Sequence, residues 1–117
     1  MNREELGRKG EEKAKFYLEK QDYFIMAQNF KCKFGEIDII AIDKNELVFV
    51  EVKTRGSKKY GEARDAVNHY KKKHIKRAAN FFIYKNKLEN KFVRFDVIEV
   101  YFKNNIYKIN HVKNVLW

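Results

Sequence analysis

The run Glu46-Leu47-Val48-Phe49-Val50-Glu51-Val52-Lys53-Thr54 sets a carboxylate and an amine two residues apart in mostly apolar text. Side chains alternate across a strand, so Glu51 and Lys53 leave on one face while Val50 and Val52 take the other. The preceding strand-like segment, Ile37 to Asp43, contributes Asp38. With Lys44-Asn45 as a two-residue turn, pairing Asp43 with Glu46 sets Asp38 opposite Glu51 and Glu36 opposite Lys53. Facing residues in a sheet begin about 4.5–5.5 Å apart, and like charges at that spacing repel. A divalent cation offsets that repulsion, and Mg2+ characteristically takes one or two carboxylates together with waters and a phosphate oxygen of the substrate. Lys53 beside that phosphate would orient or deprotonate an attacking water, or stabilise negative charge at phosphorus. The residue types therefore point to metal-assisted hydrolysis of a phosphodiester.

An isolated Glu-x-Lys on a strand is more often a solvated polar face. Here Leu47, Val48, Phe49, Val50 and Val52 make the run apolar on both sides, as in a strand at the centre of a sheet, where charges need a reason. The whole chain fits a polyanionic ligand. Its 117 residues hold 26 Lys and Arg against 16 Asp and Glu, a formal charge of +10, which makes nucleic acid the natural partner. Ribosomal proteins and membrane-surface binders share such a composition, so position matters more than the total. Arg55, Lys58 and Lys59 fall in a loop with Gly56, Gly61 and a stackable Tyr60. Lys71, Lys72, Lys76 and Arg77 fall in a helical run whose five Lys and Arg within Lys71–Arg77 repel one another unless anions are near. An ordinary connector and a solvated helix face are the plainer explanations of these two segments.

The sequence offers little for other chemistries. One cysteine, Cys32, makes neither an internal disulfide nor a structural zinc cluster, and His69, His74 and His111 lack metal-ligand spacing. There is no phosphate-binding loop, dinucleotide fingerprint or nucleophile elbow. The opening residues lack an apolar core of the kind that directs secretion, and no stretch approaches the ~20 apolar residues that span a bilayer, so a cytoplasmic protein without membrane contact is expected.

The elements that must position these groups are legible. A helix from Asn2 to Lys20 aligns Leu6, Gly7, Gly10, Ala14, Tyr17 and Leu18 on one stripe, with Glu11 inside it or at its edge. Tyr23 to Asn29 reads as a strand, Phe30 to Phe34 as a connector, then the Ile37–Asp43 and Glu46–Thr54 hairpin. A second helix is expected from Glu62 to Lys85, burying Ala63, Ala66, Val67, Tyr70, Ala78, Ala79 and Phe82. Phe92–Phe102 and Ile106–Val112 form a last hairpin about Asn104-Asn105. Leu116 and Trp117 end the chain, the Trp expected on the core. The 44% hydrophobic content with ten Phe and seven Tyr supports one packed domain over 1–117. The order implies a meander, then a helical crossover returning a parallel strand.

Gly7-x-x-x-Glu11-x-x-Ala14, Gly35-Glu36-Ile37-Asp38, Val48-Phe49-Val50-Glu51-Val52-Lys53-Thr54-Arg55, Ala78-Ala79 and Arg94-Phe95-Asp96-Val97 resemble the YraN family of small uncharacterised bacterial proteins over nearly the whole chain. That family is similar in turn to the PD-(D/E)XK nucleases, especially archaeal Holliday junction resolvases. The resemblance implies an α/β, restriction-endonuclease-like αβββαβ core, a mixed central sheet with flanking helices and an added C-terminal strand. It places Asp38, Glu51 and Lys53 at the signature positions, adds the Val52 carbonyl as a ligand of Mg2+ or Mn2+, makes Glu11 a supporting helix acid, and implies a homodimer. Ile37 stands where the signature has proline. The function implied is a DNA endonuclease acting on branched or junction DNA; the alternatives are a non-catalytic nucleic-acid-binding module of the same fold and an assembly factor with an acidic partner.

Overall fold

A computed structural model describes residues 2–56 and 69–115. In chain order they form α1 (Arg3–Lys20), β1 (Phe24–Cys32), β2 (Gly35–Asp43), β3 (Glu46–Arg55), α2 (His69–Lys85), β4 (Phe92–Lys103) and β5 (Ile106–Val112). The strands make one open sheet in the order β1-β2-β3-β4-β5. All neighbours run antiparallel except β3 and β4, whose parallel pairing requires the crossover that contains α2. This is the α/β mixed-sheet architecture expected, compatible with a restriction-endonuclease-like fold. Among the described residues no helix is long and apolar enough to cross a membrane.

Each face of the sheet carries one helix and one core. Ala14 and Leu18 of α1 pack on Ile39, Ala41, Val48, Val50, Ile98 and Val100. Ile75, Ala78, Ala79 and Phe82 of α2 pack on Ile37, Ile40, Leu47, Phe49 and Val97. β3 supplies alternate residues to both cores, which is why its sequence is apolar at nearly every position. The helix starts as its first residues dictate: the Asn2 side chain accepts from Glu5 N–H at 2.8 Å and returns a bond to the Glu5 carboxylate at 2.9 Å.

Three expectations are corrected. Phe30 to Cys32 is strand, not connector, because β1 pairs with β2 as far as Cys32 and Gly35 and leaves only Lys33-Phe34 to turn. Tyr70 is 74% exposed, whereas Ile75, placed in the cationic run, is 4% exposed. The inward stripe of α2 runs 71, 75, 78, 79, 82, so Tyr70 falls off it and Lys71 falls on it. Neither Asp38 and Glu51 nor Glu36 and Lys53 are ladder partners, since the β2–β3 ladder stops at Ile39 and Val50. Ser57–Gly61, the first turns expected from Glu62, Leu116 and Trp117 lie outside the described residues, and Lys58 and Lys59 with them.

The turn end of the β2–β3 hairpin is tied down by Arg94, only 7% exposed. Its guanidinium donates to both oxygens of Asp96 at 2.9 and 3.0 Å, to Asp43 at 3.1 Å, to Glu46 at 2.7 Å and to the Tyr23 hydroxyl at 2.6 Å. Asp96 also accepts from Asn114 N–H at 3.0 Å and meets His111 Nε2 at 2.7 Å. The other nitrogen of that imidazole, Nδ1, lies 2.9 Å from the Tyr17 hydroxyl of α1. Burial opposes the Asp96 charge, but the bonds from His111, Arg94 and Asn114 outweigh it and hold the carboxyl below the usual range. A buried charge so fully paired fixes register between β1, β2, β3, β4 and α1.

Close approach of α1 to β3 depends on Gly10. A Cβ there would lie 1.9 Å from Thr54 Oγ1 and 2.9 Å from Thr54 Cβ. Threonine is stiff at χ1, so the helix would have to lift. Gly7 has open space instead. In urea denaturation, Gly10→Ala should lose about 1–3 kcal/mol of stability, while Gly7→Ala should gain up to about 1 kcal/mol from helix propensity. Equal effects would refute the close contact.

Candidate metal and phosphate site

The site lies at the end of the β2–β3 hairpin opposite Arg94. Pairing runs regularly from Asp43 and Glu46 to Ile39 and Val50. Continued, it would bring Val52 opposite Ile37. Instead Val52 N–H donates to Asp38 Oδ2 at 2.8 Å, so a carboxylate takes the place of the next backbone carbonyl. β2 has turned away from β3 at this point. Ile37 joins the core beneath α2 and Ile39 the core beneath α1, although residues two apart share a face in a regular strand. The same place in β1 holds Asn29, between the pairs Gln28–Ile39 and Phe30–Ile37, with a left-handed φ of 51°. A non-glycine residue with positive φ inside a strand stores local strain at the spot where Asp38 is aimed.

Asp38 thereby meets groups from both faces. On the α2 side its carboxyl shares a hydrogen bond with the buried Glu51. Burial first, then the Glu51 charge and that shared bond, push Asp38 up to about 7, against the pull of Val52 N–H and Lys71. Lys71 of α2 forms an ion pair with Glu51. On the α1 side Glu11 is raised as well, by burial first, then by the charges of Asp38 and Glu36, while a hydrogen bond from the Asn29 side chain opposes the shift. Glu11 and Lys53 line a cleft of about 510 Å3 with Arg3, Leu6, Gly7, Val52 and Thr54. The facing carboxylates expected from register are thus in contact, by the route of a displaced ladder bond. Glu11 is near enough to sense Asp38. Lys53 opens on the cleft beside Glu11.

The donor set suits a hard divalent cation. Asp38 and Glu51 offer carboxylate oxygens close together, and the Val52 carbonyl points to the same side of β3 as its N–H, toward Asp38. Two carboxylates held this close repel each other when ionised, and a cation between them would relieve that repulsion. No group of three His, Cys, Asp or Glu side chains converges as a ligand set among the described residues, so Glu11 stands apart from the pair.

The basic residues divide. Arg55 Nε donates to the fully buried Glu99 at 2.9 Å, which gives it an internal partner. Glu99 also accepts from the Tyr101 hydroxyl at 2.7 Å and Asn110 at 3.1 Å. Lys71 is drawn to Glu51. Lys72 is half-buried, and Lys76 and Arg77 are exposed on α2. Asn29 was missed in the sequence because a left-handed residue within a strand leaves no periodic trace. The inward position of Lys71 was available from the spacing of Ile75, Ala78 and Phe82.

Comparison with known proteins places the chain among relatives. The family described as "Uncharacterised protein family UPF0102" matches residues 10–100. A UPF0102 protein of Caldicellulosiruptor saccharolyticus is 50% identical over 116 residues, covering 97% of this chain and 98% of its own. One from Caldanaerobacter subterraneus subsp. tengcongensis is 44% identical over 117 residues, covering 97% and 96%. One from Persephonella marina is 43% identical over 108 residues, covering 92% and 90%.

The raised Asp38 makes a stability prediction for metal-free protein. Between its ordinary value of 3.8 and about 7, the unfolded carboxyl is ionised while the folded one keeps its proton. The folded state then binds more protons, so stability is fullest below pH 4, falls as pH rises through that window, and levels off above about pH 7. Asp38→Asn, which still accepts from Val52, should remove roughly 2–4 kcal/mol of that fall in denaturation at pH 5 and pH 8 with EDTA. An unchanged slope would refute the assignment. Asn29→Gly should keep stability within about 1 kcal/mol, whereas Asn29→Ala should lose more, because only glycine accepts that φ freely.

Proposed function

This chain belongs to the UPF0102 family, and we propose that it is a Mg2+- or Mn2+-dependent nuclease hydrolysing DNA phosphodiester bonds, with branched or junction DNA as its substrate class. The observation that carries the proposal is the contact between Asp38 and Glu51 in the gap where β2 leaves β3. Structural proteins seldom retain two touching carboxylates in a buried strand end, and such pairs mark functional sites. Asp38, Glu51 and the Val52 carbonyl would hold the ion. A divalent cation there supplies Lewis-acid charge next to the phosphorus centre.

The remaining work falls to the chain's own groups. Lys53, which lines the cleft, would position the attacking water and stabilise negative charge as it develops on the phosphate. Glu11 would orient polar groups entering from the α1 side. Lys72, Lys76 and Arg77 would bind backbone phosphates along α2, a role shared by Lys58 and Lys59 in the expected loop. The junction preference and a paired, dimeric arrangement rest on likeness to resolvases, because symmetric cleavage of two strands takes two sites. A second reading, a nucleic-acid-binding module without catalysis, draws on the Lys71–Glu51 ion pair, which partly neutralises the site from within.

Labelled single-stranded, duplex, flap and four-way-junction DNA incubated with Mg2+, Mn2+ or EDTA separates the two readings. The nuclease reading expects cleavage with either metal, none in EDTA, and a loss of about 100-fold or more in Glu51→Ala and in Lys53→Ala. Cleavage that persists in Glu51→Ala would sink the site. Salt-sensitive binding with no cleavage under any metal would establish the binding module instead.

A further inference from the structure

Besides Asp38, Glu51 meets a group from neither the hairpin nor α1. Lys71 lies one turn before Ile75 on the inward stripe of α2 and pairs with the Glu51 carboxylate. The two partners differ sharply in exposure. The Glu51 side chain is 7% exposed and the Lys71 side chain 43%. A buried carboxylate is thus met by a cation whose flexible stem still reaches water, so the lysine can leave without unpacking the core, and the carboxylate cannot. Lys72, Lys73, Lys76 and Arg77 follow on the same helix, so an amine that leaves Glu51 joins an existing basic surface.

On the reading that Asp38 and Glu51 hold a divalent ion, we propose that Lys71 is a displaceable internal counter-ion: it occupies Glu51 in the metal-free protein, competes with the ion for that carboxylate, and on displacement becomes a phosphate ligand. Three considerations argue for the competition. Lys71 and the ion seek the same oxygens of Glu51. An ammonium and a dication on one carboxylate repel each other strongly in a half-buried setting. The Glu51 side chain is buried, so its carboxylate has little freedom to turn and serve both partners at once. The arrangement keeps the two carboxylates from being left without a cation when the ion is absent. It also links metal entry to substrate capture, because the displaced amine adds one positive charge to the basic surface of α2 only once the ion is in place.

The test is Mn2+ titration by calorimetry on the full chain without DNA, comparing wild type, Lys71→Gln and Lys71→Arg. Lys71→Gln should bind Mn2+ about tenfold more tightly than wild type, the order expected when one competing charge is removed. Lys71→Arg, which keeps the charge, should stay within about threefold of wild type. Thermal unfolding gives a second readout: in EDTA Lys71→Gln should melt lower than wild type, and saturating Mn2+ should raise its Tm by more. Mn2+ affinity equal in wild type and Lys71→Gln, or weaker in the variant, overturns the competition and leaves the metal site standing. Absence of Mn2+ binding in all three proteins overturns the metal site itself, and this inference with it.

Discussion

One hydrogen bond organises the functional end of this molecule, that from Val52 N–H to the Asp38 carboxylate. A sheet normally satisfies each backbone donor with a backbone acceptor, and a donor left unpaired in a buried strand costs about 1–3 kcal/mol. Substituting a side-chain oxygen meets that demand and frees β2 to turn away. The turn opens a gap in the plane of the sheet, and the same carboxylate that fills the ladder position is delivered into it. Asp38 is therefore both a structural acceptor and the candidate ligand. Its two roles are compatible because a carboxylate has acceptor sites to spare after taking one N–H.

Such a displacement would unravel the strand end if the hairpin were not anchored elsewhere. The anchor is Arg94, whose guanidinium gathers Asp96, Asp43, Glu46 and Tyr23 at the turn end. The Arg94-Phe95-Asp96-Val97 motif, which belongs to the family resemblance, thus works at a distance from the site by fixing the register that carries Asp38 and Glu51 to it. Phe95 and Val97 face the α2 core while Arg94 and Asp96 face α1, so one short stretch of β4 locks both layers.

Much of this was legible in the residues. The hairpin register followed from a two-residue turn and alternation, and the pairs from Asp43–Glu46 to Ile39–Val50 obey it. Asn104 and Asn105 both take positive φ, as their turn position and type implied. Legibility ended where regularity ended. The departure of β2 at Asp38 is coupled to the left-handed Asn29 across the ladder, and no period describes a single residue of that kind. Tyr70 misled because an aromatic beside a helix stripe looks buried until the stripe is phased from Ile75, Ala78 and Phe82. Arg55 read as a phosphate ligand because Glu99, distant in sequence, gave no sign that it would be buried and call for a cation.

The two helices, finally, explain why the site can receive groups of opposite charge. A carboxylate on one face of a sheet normally senses one layer. Asp38 lies in the plane where the ladder has parted, so α1 presents Glu11 from one side and α2 presents Lys71, through Glu51, from the other. Gly10 sets the height of the first helix over β3, and the buried stripe through Ile75 sets the phase of the second. A shift of either helix would alter the balance of charge around Asp38 without moving a single strand residue. Burial and the neighbouring Glu51 raise the proton affinity of that carboxyl first, and the Lys71 charge brought by α2 works against them.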